Sequence, residues 1–193
     1  MDLSSKIYNQ ENWRGLKLNA SELLNIEFST CYFEKCDFSD CKFSGSSFLD
    51  CKFVDCNLSN VIVADCSWQG VNFVNCKLIG IRWSDIDTLL IDWNFSVCNL
   101  SFSDFHGLDL KRTKFINCEV VEAEFSLANL SGTDFSGSNL NAAKFGRTNL
   151  SQANLATARN YYLDPTANNI KGARFSCPDV LSLLAKFGPK IEM

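Results

Sequence analysis

The sequence predicts an all-β solenoid, a chain wound into stacked coils of short extended pieces and closed by a short C-terminal α-helix. Three observations carry this prediction. Large apolar residues recur every five residues from Leu18 to Leu155, and 27 of the 29 centres counted through Asn160 are apolar. The residue two before each centre is small or aliphatic and never charged, so every Lys, Arg, Asp and Glu of these units falls at the other three positions. A period of five matches neither the 3.6 of a helix nor the 2 of a simple strand. A chain that turns every five residues and keeps one side inward has to coil.

The elements follow in chain order. Residues 1–15 are expected to form an irregular N-terminal cap, with Ile7 and Trp13 over the first coil. Repeats fill residues 16–162, as in the run CYFEK, CDFSD, CKFSG from Cys31. Ser follows many centres, as at Ser39, Ser44, Ser131 and Ser136, where small polar residues suit turns. The phase slips by two residues at Ser96 and Val97 and resumes at Leu100. Just before it, Thr88 takes the place of an apolar centre, and Leu89 and Leu90 fall at outward positions. The stretch 86–97 is read as a bulge that tucks Leu89 or Leu90 inward, with a binding patch as the other reading.

Residues 163–193 read as a loop, a capping and dimerisation helix, and a tail. Ser176 with Asp179 looks like a capping box, and Pro178 suits the first turn. Gly188-Pro189 ends the helix. Its apolar residues exceed the needs of one capping face, so Val180, Leu183, Leu184, Phe187 and Ile191 are assigned to an interface with a second copy.

Units such as CDFSD, ANLSG, TDFSG and SNLNA resemble the pentapeptide-repeat family over roughly residues 16–162. The resemblance implies a right-handed quadrilateral β-helix with four units per coil. Residues 20 apart then stack, and Phe33, Phe53, Phe73, Trp93, Phe115, Phe135 and Leu155 are expected in one internal ladder. The stretch DPTANNIKGARFS, followed by a short helix and an apolar tail, is similar to the end of the Qnr-type quinolone-resistance branch. That similarity implies a homodimer joined through C-terminal helices, and a rod that mimics DNA and binds DNA gyrase or topoisomerase IV. This sequence lacks the two large projecting loops of the Gram-negative Qnr proteins.

Composition narrows the function. The 193 residues suit one domain. A net charge of −4 argues against direct nucleic-acid binding, and no apolar run is long enough to span a membrane. Nine of the ten cysteines occupy the small inward position, which reads as packing rather than metal or disulfide chemistry. Reduced thiols and an N-terminus without a signal-peptide core point to the cytoplasm. The lone His106 and the absence of catalytic motifs argue against an enzyme, and neither a cofactor nor a metal is expected.

Charge is uneven. Residues 1–140 hold 19 acids against 11 bases, and residues 141–193 hold 3 against 7. Two acidic faces are expected to meet a partner. One carries Glu27, Asp50, Asp87 and Asp109, opposed by Lys111 and Arg112. The other carries Asp37, Asp40, Glu119 and Glu122 against Lys17 and Lys77. The function expected is a non-enzymatic topoisomerase-binding protein that modulates the enzyme or protects it from quinolone-like poisons. The alternatives are a scaffold with an unrelated partner, or immunity against a gyrase-directed toxin.

Overall fold

A five-residue unit is one extended step followed by one turn. In many units an Asp or Asn stands just before the centre, and its side-chain oxygen accepts the amide two residues on. Asp37 receives Ser39 N at 3.0 Å, Asn57 receives Ser59 N at 3.1 Å, and Asp134 receives Ser136 N at 3.0 Å. This is the Asx turn, a side chain standing in for backbone. Two residues after the centre the backbone turns left-handed, at φ +58° in Asp40, +57° in Asn60 and +71° in Gly45. Asn, Asp and Gly tolerate that region best.

The computed structural model describes residues 5–87 and 90–190. Four steps return the chain to its starting side, giving a four-sided parallel β-helix. On the first side β1 (Ile7–Asn9), β3 (Glu27–Ser29), β5 (Ser47–Leu49) and β7 (Ser67–Gln69) pair in parallel. On the second, β2 (Asn12–Arg14), β4 (Tyr32–Glu34), β6 (Lys52–Val54), β8 (Val71–Val74), β9 (Trp93–Ser96) and β10 (Lys114–Ile116) do the same. Single bridges continue the third side from Lys17 through Asp37, Asn57, Lys77, Asn99, Glu119 and Asn139 to Arg159. The fourth carries Glu22, Lys42 and Ile62, then Arg82, Asp104, Glu124 and Lys144.

The register puts like on like inside. Trp13, Phe33, Phe53, Phe73, Phe95, Phe115 and Phe135 stack near-parallel with centroids 4.7–5.3 Å apart, below Leu155. The expected ladder therefore holds except at Trp93, whose place belongs to Phe95. Val71 pairs with Trp93 and Phe73 with Phe95. The two extra residues accordingly lie between Ile86 and Trp93, not at Ser96 and Val97, which form an ordinary turn. Of the expected bulge, Thr88 and Leu89 lie outside the described residues. Leu90 points outward at 64 % exposure, and the half-buried Ile91 packs on the core instead.

The small inward position has a polar duty that its size conceals. In many units its side chain donates to the carbonyl of a centre one coil below. Ser46 reaches Leu23 O at 2.9 Å, Cys51 reaches Phe28 O at 3.5 Å, Thr133 reaches Leu110 O at 3.1 Å and Ser138 reaches Phe115 O at 2.7 Å. Trp93 fills this position across the insertion, and its indole N–H donates to Trp68 O at 2.7 Å. The buried cysteines are free thiols, and all but Cys118 take the same role.

Both ends differ from expectation. Residues 7–15 are the first coil rather than an irregular cap: Trp13 stacks on Phe33, whereas Ile7 is exposed. Lys6 and Glu11 stand at the small position there and conceal the repeat. The end of the stack lets charged residues reach water, and both are exposed. At the other end the ladder runs past residue 162, through Asn149 to Asn169 and Asn154 to Arg174. The terminal helix, Asp179–Phe187, is 3₁₀ rather than α, with no side-chain cap. Ser176 donates to the Ala156 carbonyl, and Asp179 accepts the Asn160 amide at 3.0 Å, so neither completes a capping box. Lys186 ties the helix to Asp164 and Thr166.

Two predictions follow from this packing. Thr113 stands at a small position whose acceptor would fall in the insertion, and its buried hydroxyl has no partner among the described residues. Thr133→Val is expected to lower stability by about 1 kcal/mol in urea denaturation, and Thr113→Val to leave it unchanged or raise it. The Lys186 ammonium and the Thr166 hydroxyl hold the Asp164 carboxyl at about 2, below its ordinary 3.8. A lowered carboxylate stabilises fully above the ordinary value and loses that contribution as pH falls toward the lowered one. Proteolytic release of the terminal helix is expected to increase between pH 4 and pH 2 in the wild type. In Asp164→Asn it is expected to be elevated already at neutral pH.

Candidate partner-binding surface

With the interior filled, partner chemistry belongs to the three outward positions of each unit. Among the described residues the larger hollows are open grooves at the corners. One, of about 600 Å³, is lined by Asp55, Asn75, Lys77, Val97 and their neighbours. His106 lies exposed on the fourth side. The adjacent Asp104 is committed to the His106 amide and the Ser84 hydroxyl, each at 2.9 Å, so no relay of proton-carrying groups forms there.

The two acidic faces are both present, but their carboxylates differ. Asp37, Asp40, Glu119 and Glu122 share the third side and its edge. Asp37 also accepts Ser39 Oγ at 2.7 Å and Asn57 Nδ2 at 3.2 Å. Partial burial opposes its ionisation, yet the Ser39 and Asn57 hydrogen bonds hold it below the ordinary carboxylate value. Glu119 accepts Asn139 Nδ2 at 2.7 Å and pairs with Arg159 at 3.3 Å, and Asp40 accepts Asn60 Nδ2 at 3.2 Å. Three of these four carboxylates are bound into the vertical ladder of their own side.

The first side is the cleaner acidic stripe. Glu27, Asp50, Asp87 and Asp109 all lie there and are exposed. No Lys or Arg stands on that side from Glu27 up to Asp109, where Lys111 pairs with the Asp109 carboxylate at 2.9 Å. Two apolar side chains join the stripe: Leu49, 44 % exposed beside Asp50, and Leu90 between Asp87 and Asp92. Sequence reasoning did not assign Leu49. Its signal was an apolar residue at an outward position of a repeat that otherwise places polar ones there.

The same signal marks two strained turns. Val97 and Phe102 hold left-handed backbone at φ +58° and +62° with side chains 53 % and 57 % exposed. A β-branched residue is an outlier in that region. At the C-terminal helix the assigned interface divides. Val180 and Leu183 are half-buried, and Leu183 packs against the core as a cap would. Leu184 and Phe187 are exposed, and Ile191 lies outside the described residues.

Family models describing a pentapeptide repeat region and pentapeptide repeats in eight copies match residues 26–89 and 94–155. The chain belongs to the pentapeptide-repeat family. Among solved structures, a trypsin-treated variant of QnrB1, a plasmid-mediated fluoroquinolone resistance protein, aligns at a TM-score of 0.64 with 19% identity. The alignment covers 97% of this chain and 99% of QnrB1. HetL, a pentapeptide repeat protein involved in heterocyst differentiation regulation from the cyanobacterium Nostoc, aligns at 0.52 with 16% identity, covering 90% of this chain and 88% of HetL. No curated protein sequence matches the chain. Both structures share its fold. In this pentapeptide-repeat chain the family's consensus polar residue before the centre is the Asx-turn acceptor, and the unit's fifth position is the left-handed turn.

Because left-handed backbone costs a side-chain-bearing residue about 1–2 kcal/mol, Val97→Asn and Phe102→Asn are each expected to raise the urea midpoint by an amount equivalent to about 1 kcal/mol.

Proposed function

We propose that this protein is a non-enzymatic binding protein, working in the cytoplasm, that presents its first side to a basic, DNA-binding surface of a type II topoisomerase, DNA gyrase or topoisomerase IV. The observation that carries this reading is the stripe Glu27, Asp50, Asp87 and Asp109, uninterrupted by base, with Leu49 and Leu90 set among the acids. Acid along a rigid rod substitutes for phosphates along a duplex and steers a basic partner. Apolar side chains within the stripe supply desolvated contact that charge alone lacks. The basic C-terminal portion, where Leu184 and Phe187 are exposed, is where a second copy would join and lengthen the rod. Modulation or protection of the enzyme from quinolone-like poisons is the consequence proposed for such binding.

The test is a gyrase supercoiling and drug-stabilised cleavage assay with and without a fluoroquinolone, on protein whose mass in solution is read by light scattering. The wild type is expected to have the mass of two chains and to alter one or both gyrase readouts. Asp50→Lys combined with Asp109→Lys should weaken that effect at least tenfold while Asp37→Lys changes it less. Equal loss from both sides would refute the first side as the contact. No wild-type effect on gyrase or topoisomerase IV across the micromolar range would leave the scaffold reading in its place.

A further inference from the structure

One corner of the solenoid carries more thiol than packing requires. Cys36, Cys56, Cys76, Cys98 and Cys118 occupy the small position of five successive coils, because the residues after them, Asp37, Asn57, Lys77, Asn99 and Glu119, bridge one to the next in register. All five are buried and free. The other corners hold no such run: Cys31 and Cys51 are followed by Val71, Cys41 by Val61, and Cys66 stands between Ser46 and Ile86. The shared duty of this position is a bond to a carbonyl below. Cys56 donates to Phe33 O at 3.4 Å, Cys76 to Phe53 O at 3.5 Å and Cys98 to Phe73 O at 3.5 Å. Serine performs it equally well. Ser138 continues this same column one coil higher with its 2.7 Å bond to Phe115 O.

Successive residues of the column stand one over the next, and the Cys36 amide donates to Cys56 Sγ at 3.4 Å. Stacked strands are about 4.8 Å apart. Two metal–sulfur bonds of about 2.3 Å, the zinc–thiolate length, span about 4.6 Å end to end. The spacing thus admits one ion between two neighbouring sulfurs, and the five thiols hold two such ions when no sulfur is shared. Among the described residues no three or more His, Cys, Asp or Glu side chains converge on one point, so a tetrahedral cage is not formed. A linear, two-coordinate ion needs none. The open groove of about 600 Å³ at this corner is lined by Cys56 and Cys76 themselves, with Asn57, Asn75 and Lys77.

We infer that this thiol column is a binding site for soft monovalent d¹⁰ cations, Cu(I) and its analogue Ag(I), held linearly between consecutive cysteines. Soft thiolates select such ions over harder ones. In each binding event two S–H bonds break, two S–metal bonds form and two protons leave. The ion stays in its monovalent state, so no oxidant or reductant is consumed. Burial pushes the thiols outside the column up, Cys41 and Cys66 to about 11 and Cys51 to about 12.

The experiment uses the full chain carrying Cys177→Ser, which removes the exposed thiol. Ag(I), and Cu(I) under a competing chelator, are titrated anaerobically. Bound ions are counted by native mass spectrometry, proton release is measured, and Zn(II), which takes four ligands, serves as the comparison. The column is expected to take up Ag(I) and Cu(I) with about two protons released per ion. Cys56→Ser with Cys98→Ser leaves no adjacent thiol pair in the column and should weaken uptake at least tenfold. Cys41→Ser with Cys66→Ser removes as many thiols elsewhere and should preserve it. Equal uptake by both double variants, or no uptake by the parent, would overturn the inference. If the column double variant does not fold, Cys56→Ser alone leaves only the adjacent pairs that share Cys98 and should lower the ion count from two to one. An unchanged count there would equally overturn it.

Discussion

A coil of this solenoid is held by the coil beneath it and the coil above it, and by little else. The parallel ladder sets the spacing, and the left-handed turn after every third residue of a unit sets the length of each step. Together they place each residue over its counterpart one circuit earlier. The consequence is vertical likeness. Phe stacks on Phe along the second side, thiol on thiol at one corner, and amide on amide on the first side, where Asn149 Nδ2 donates to Asn129 Oδ1 and Asn169 Nδ2 to Asn149 Oδ1, both at 3.0 Å. Opposite charges meet vertically at two rungs, where they avoid the repulsion of stacked like charges, whereas Asp104 and Glu124 do stand in register. Lys42 stands over Glu22 at 2.7 Å and Glu34 over Arg14 at 3.4 Å.

The insertion between Ile86 and Trp93 shows how strict the likeness is. Two extra residues interrupt the first side, yet the stack resumes above them with Phe95 on Phe73. Trp93 is the residue that absorbs the disturbance. It fills a position held elsewhere in residues 16–162 by Cys, Ala, Ser, Thr, Val, Ile or Leu, and it keeps the hydrogen bond that the position provides. Thr113, one coil higher, retains the donor but has lost the acceptor. The corner bonds are therefore a property of the stack, not of single residues. A donor is satisfied only if the coil below is complete.

Such a body leaves function to its outer positions. The first side spends few carboxylates on its own ladder, whereas the third spends Asp37, Asp40 and Glu119 on neighbours one coil above or on its own turns. The proposed surface is the side whose outward positions carry acid with no Lys or Arg among them from Glu27 up to Asp109. The C-terminal 3₁₀ helix works by the same economy of contact: Leu183 covers the last coil, and Leu184 and Phe187 remain outside.

The sequence by itself determined the period, which residues face inward, the solenoid class and the two acidic faces. Each of these is set within one unit or by counting units, and a five-residue pattern is local information. What only the tertiary structure decided depends on residues a full coil apart. The site of the insertion was hidden because both Trp93 and Phe95 are large aromatic residues. Only pairing with Val71 and Phe73 tells them apart. The first coil was hidden because Lys6 and Glu11 break the inward rule where the stack ends. The helix type was misjudged because Ser176 and Asp179 bond backward to the coil rather than to the helix they precede. That Asp37 and Glu119 are ladder residues, and that five cysteines form one column, became visible only once the coils were closed in register. Closure is a property of the whole circuit, and no single unit records it.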